Sequence, residues 1–172
     1  VFKYSEPGLL TWLAQKSNIP IISPEPDETK EIQYLVSKGF SVPQIMTYYF
    51  GRQMYQWLKR DYKNHADWKP YAERNIQSYA KLQPLSAEKL GLKKVLLMYQ
   101  EVTGVPFNKN DEKLLYSLSD PTSNPVSAAS GVFRDISLFA AIKADWVANK
   151  DVFALYGSGH AIVLEKAIKS LK

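Results

Sequence analysis

The sequence predicts an α/β domain that is mostly helical, with a small parallel sheet (strands near residues 19–23 and 151–157) and a helical insertion between them. Three observations lead there. The run Val152-Phe-Ala-Leu-Tyr156 is continuous, apolar and β-favouring, as expected of a strand covered on both faces. It stops at Gly157-Ser-Gly-His160, whose glycines permit a tight turn, and a helical pattern follows with Ile162, Leu164, Ala167, Ile168 and Leu171 on one face and lysines opposite. The segment Ile19-Pro-Ile-Ile-Ser23, closed by Pro24-Glu-Pro26, is the second strand candidate. Two strands make a poor parallel sheet, so further N-terminal strands are expected to be missing.

The remaining elements follow in chain order. Residues 7–16 form a short helix with a proline in the first turn and an end near Ser17-Asn18. Residues 27–38 form another, with Asp27 as N-cap, Ile32, Leu35 and Val36 inward, and Gly39 as the stop. The longest helical pattern covers 42–62, with Pro43 at its start and a broad stripe of Ile45, Met46, Tyr49, Phe50, Met54, Trp57 and Leu58 that reads as core. Helices over 69–82, over 86–103 with Ser86 as cap, and over 111–118 complete a helical cap region at about 42–118. Residues 119–131, rich in Ser, Pro and Asn, read as a loop or a lid. A helix over 132–149 is apolar around most of its circumference and is expected to be well buried.

The 172 residues suit a single domain spanning 1–172, and 45% hydrophobic content makes it globular. The absence of cysteine excludes disulfides, thiolate metal sites and cysteine nucleophiles. A net charge of +5, with lysines scattered among glutamates, reads as a solvated surface, and no nucleic-acid partner is expected. No apolar stretch reads as a membrane span. The chain begins at Val1 without a signal-peptide pattern, and the expectation is a soluble protein from which an upstream segment has been removed, its compartment unknown and export one option.

Element directions bring polar residues to one rim. A helix joined to a strand by two residues runs antiparallel to it, so Arg134 and Asp135 at the start of the 132–149 helix should lie beside His160. The same reasoning, with both strands parallel, adds Glu6, Glu25 and Asp27. A histidine there can act as general base or metal ligand, a carboxylate can orient it, and an arginine can hold a developing oxyanion. The plainer readings are caps and ion pairs at helix ends. Six polar residues thus converge: Glu6, Glu25, Asp27, Arg134, Asp135 and His160. Gly157, Gly159 and Asp135 are candidates to border a cofactor, and His160 with Glu6 to hold a divalent metal with water. The other histidine, His65, reads as a surface residue in an interhelical turn, and no P-loop, dinucleotide fingerprint, HExxH or nucleophile elbow is present.

The segment Phe133-Arg-Asp135, a helix, then Asp151-Val-Phe-Ala-Leu-Tyr-Gly-Ser-Gly-His160 resembles the closing part of the TraB/Tiki family, within the erythromycin-esterase and ChaN-like superfamily. The opening Glu6-Pro-Gly-Leu-Leu-Thr-Trp-Leu and Ile19-Pro-Ile-Ile-Ser-Pro-Glu-Pro26 look like the family's glutamate-led helix and next strand. The resemblance implies a hydrolase site at the strand ends, with His160, Arg134 and Glu6 acting on a small-molecule or peptide substrate through an ester or peptide bond, metal-assisted in some members. The rival it implies is a non-catalytic module binding a small ligand such as haem. The family's earlier GxxH has no counterpart here.

Overall fold

The computed structural model describes the backbone of residues 5–61 and 67–171, and their side chains except at Ser5, Glu6, Arg60 and Asp61. Among the described residues the structure is 69% helical, and no strand or sheet occurs. The α/β expectation is therefore corrected to all-α. Residues 19–23 and 151–157 are extended, but neither 20–23 nor 152–155 makes a backbone hydrogen bond among the described residues. Their apolar, β-branched composition reports a fit to a buried surface and not the presence of a ladder partner. Pro20 and Pro24 further remove donors from the first segment.

The helices are α1 (Ser5–Lys16), α2 (Glu28–Ser37), α3 (Val42–Gln56), α4 (Trp68–Tyr79), α5 (Leu92–Thr103), α6 (Glu112–Ser119), α7 (Pro125–Val147) and α8 (Ser158–Lys169). They fall into two compact units, a larger one of Pro26–Arg134 and a smaller one of Val1–Glu25 with Asp135–Lys172.

In the larger unit, local signals set the helix ends. Asp27 caps α2, its Oδ1 accepting from Lys30 N at 3.2 Å, and Gly39 follows at φ 88°. Ser41 and Gln44 form a capping box at the start of α3. This helix continues into a π-helical turn, Trp57–Asp61, and the predicted end at 62 lies outside the described residues. The predicted 86–103 helix is two pieces. A 3-10 turn, Leu85–Glu88, is broken off by Lys89 in a left-handed conformation, and Gly91 instead of Ser86 occupies the N-cap position of α5. Asp111 caps α6 by accepting from Leu114 N at 3.0 Å.

The 119–131 lid reading is also corrected. Asn124 Oδ1 accepts from Val126 N at 2.9 Å and Pro125 begins α7, so a capped helix start replaces most of the loop. Only 120–124 turns, organised by Asp120, which accepts from the Thr122 and Ser123 hydroxyls.

The larger unit holds the buried core. Ile32, Leu35, Ile45, Met46, Met54, Trp57, Val95, Tyr99 and Leu115 are all fully buried, with α3 packed mainly on α5 and α6. Gly51 lets α3 approach α6 closely, since a β-carbon there would lie 2.6 Å from Leu118 Cδ1 and 2.9 Å from its Cβ. Inside this core the Glu31 carboxylate accepts from Tyr49 OH at 2.9 Å and Ser130 Oγ at 2.7 Å, while Tyr48 OH donates to Ser130 Oγ at 3.0 Å. These hydroxyls satisfy a buried charge that would otherwise be costly.

The smaller unit is built differently. Among its described hydrophobic residues only Ala14, Leu138 and Leu164 are buried, while Ile19, Ile22, Phe153, Ile162 and Val163 are exposed. The expectation that the helix ending near 149 is well buried is corrected here, for Ile136, Trp146 and Val147 are exposed. Helix α7 is also long and apolar enough to cross a membrane by length and composition, which no stretch was expected to be. Those two properties are shared by core helices of soluble proteins, and α7 carries Arg134 and Asp135 near its middle.

Candidate functional site

The site lies in the smaller unit, where the two extended segments end. Gly157 occupies the N-cap position of α8, and His160 N donates to Gly157 O at 3.0 Å, which fixes His160 in the first turn. Asp135 lies on α7. Its Oδ1 is 2.5 Å from His160 Nδ1, with side chains only 14% and 23% exposed respectively. A carboxylate can only accept, so Nδ1 carries the hydrogen and Nε2 of the neutral ring is left as the acceptor. Nε2 has no hydrogen-bond partner among the described residues.

A second pair adjoins the first. Tyr156, the last residue before Gly157, sets its ring edge-on to the His160 ring at 4.7 Å between centroids, and its hydroxyl donates to Glu25 Oε1 at 2.5 Å. The segment carrying Glu25 is tied to α7 by Ser137 Oγ, which donates to Pro24 O at 2.8 Å. Asp135, His160, Tyr156 and Glu25 thus form one continuous row of titratable groups. Of these, His160, Asp135 and Glu25 were expected at a common rim. Tyr156 was not, because within an apolar run it reads as a strand interior, and its only sequence signal was its place at the end of that run.

Asp27 belongs to the larger unit and serves as the α2 cap. Arg134 precedes Asp135 in α7, is half-buried and is grouped with the larger unit. Glu6 lies in α1 with its side chain outside the described residues, and His65 is outside them altogether. Gly157 and Gly159 are not sterically required: a β-carbon would make ordinary contact at Gly157 and meet nothing at Gly159, and neither has a positive φ. The turn they were read for is a plain helix start. Among the described residues no group of three or more His, Asp or Glu could hold a metal, so the metal expectation is not carried further.

Adjoining the row of polar groups at Tyr156 is a partly open apolar trough of about 640 Å³, lined by α1, α7 and both extended segments. Tyr156 belongs to both features. Fold and site define the class: an all-α chain, over the described residues, with a carboxylate-paired histidine whose neighbour Tyr156 lines an apolar trough. No family model, curated protein or solved structure matches the chain.

Proposed function

We propose that the protein is a hydrolase in which His160 acts as general base on water attacking an ester or peptide carbonyl. The observation that supports this is the Asp135–His160 contact, which holds the ring in the tautomer whose Nε2 can take a proton. Nε2 removes a proton from water as the water oxygen adds to the carbonyl carbon. The adduct then expels the leaving alkoxide or amine as the C–O or C–N bond breaks. The imidazolium returns its proton to that leaving group, releasing an acid and an alcohol or amine. Asp135 stabilises the imidazolium that forms between the two transfers. Kinship with the TraB/Tiki family belongs to the same proposal, resting on Arg134-Asp135 and the histidine of Gly-Ser-Gly-His160 without the family's sheet.

The apolar trough favours a second reading, a non-catalytic module that binds a small apolar ligand. Hydrolysis of p-nitrophenyl acetate by the wild type, His160→Ala and Asp135→Asn separates the two. The hydrolase reading expects a loss of about 10²- to 10⁴-fold for His160→Ala and a smaller one for Asp135→Asn. Turnover equal in all three proteins sinks it.

A further inference from the structure

We propose that the trough is an acyl pocket, and that the substrate is a neutral ester whose apolar chain lies in the trough while its carbonyl sits at His160. This rests on the hydrolase reading and adds the substrate class to it. The volume of about 640 Å³ falls within the roughly 300–1,000 Å³ of small-molecule pockets. Its walls are aliphatic, with Leu13, Ile21, Leu138, Ile142 and Leu155 among them. Ile21 and Leu155 remain 48% and 44% exposed, apolar surface that a bound chain would remove from water.

Charge narrows the choice of ligand. Among the described residues the lining contains no lysine or arginine, and its carboxylates are those of Asp145 and Asp151. Asp145 is paired with Lys150 at 2.6 Å, which itself is not part of the lining. A fatty-acid anion finds no cation there and faces Asp151, whereas a neutral ester pays no such repulsion. The same asymmetry promotes product release, since hydrolysis converts the bound acyl group into a carboxylate. Tyr156 links the two features, being one of the trough's lining residues and setting its ring edge-on to His160 at 4.7 Å between centroids, so the carbonyl of an acyl chain bound there is placed next to Tyr156 on the side of the imidazole.

The test uses the full chain and a series of p-nitrophenyl esters from acetate to octanoate, with Ile21→Asp and Ala141→Trp as two independent alterations of the trough. Ile21 is half exposed, so its substitution need not disturb packing. Binding is read separately with the neutral fluorescent probe N-phenyl-1-naphthylamine on His160→Ala. The proposal expects kcat/KM to rise about fourfold per added methylene until the trough is filled. It also expects both variants to flatten that series, and the probe to be displaced by ethyl octanoate but not by octanoate anion. A flat series with acetate still hydrolysed through His160 overturns the acyl pocket and leaves the hydrolase reading standing. No hydrolysis of any ester, with the probe still bound and displaced by ethyl octanoate, overturns the hydrolase reading and the substrate assignment with it. Displacement by an apolar peptide and not by the ester overturns the acyl assignment.

Discussion

At the scale of single residues, burial and hydrogen bonding separate the groups proposed to do chemistry from those that only stabilise. His160 and Asp135 were legible as neighbours because a helix and the segment it leads into run antiparallel, although Asp135 lies near the middle of α7 and not at the helix start it was read for. Glycine was misread, since Gly157 and Gly159 adopt conformations open to any residue. The Glu31 carboxylate was invisible in the sequence because its hydroxyl donors come from Tyr49 and from Ser130, 99 positions away. Tyr99 offers a clean test of how burial acts on one hydroxyl. Its OH is buried without a hydrogen-bond partner among the described residues, and burial pushes its pKa up to about 12. Tyr99→Phe removes an unsatisfied polar atom without changing ring packing, so urea unfolding should show stability unchanged or raised by up to about 1 kcal/mol. A loss of more than about 1 kcal/mol would mean that the hydroxyl is bonded.

At the scale of elements, caps and stops were the readable part and partners were not. Asp27, Gly39, Pro43 and Asp111 each mark a helix boundary by local chemistry, and each boundary lies within a residue or two of its signal. The two extended segments failed as strands for a non-local reason, because a strand is defined by the chain beside it. The stretch 119–131 failed because Ser, Pro and Asn serve loops and helix starts alike, and only the Asn124 cap decides between them. The close crossing of α3 and α6 at Gly51 was likewise unreadable, since it depends on where Leu118 lands. Gly51→Ala should lower stability by about 1–3 kcal/mol in denaturant unfolding, because Leu118 Cβ cannot withdraw without moving α6. An unchanged midpoint would mean that the two helices stand further apart. The Asp120 turn carries its own pH dependence. Hydrogen bonds from Thr122 and Ser123 hold its carboxyl below the usual value, so its support for the start of α7 is present above about pH 4 and fades as pH falls through the folded pKa.

At the scale of the whole molecule, the buried core and the proposed site reside in different units. The larger unit contains the buried cluster and its tyrosines, and the smaller unit contains the dyad and the trough. Burial raises the pKa of Tyr79 and Tyr99 to about 12 and that of Tyr49 further still. A raised folded pKa favours the native state below the unfolded value of about 10, and that advantage is lost as pH climbs toward the folded value. Circular dichroism should therefore show the larger unit weakening between about pH 10 and 12, with the transition moving up in Tyr99→Phe. A transition independent of those tyrosines would contradict the assignment. The proposed chemistry turns on which nitrogen of His160 is free, and the intact protein can report it because the chain has only 2 histidines. The most direct measurement is nitrogen NMR of protein labelled with ¹⁵N-histidine, with His160→Ala assigning the resonances. In the neutral form of the ring the account predicts a protonated Nδ1 and a bare Nε2, and a shift toward the mixed tautomers of free imidazole in Asp135→Ala. A protonated Nε2 in the wild type, or a spectrum unchanged by Asp135→Ala, would contradict it.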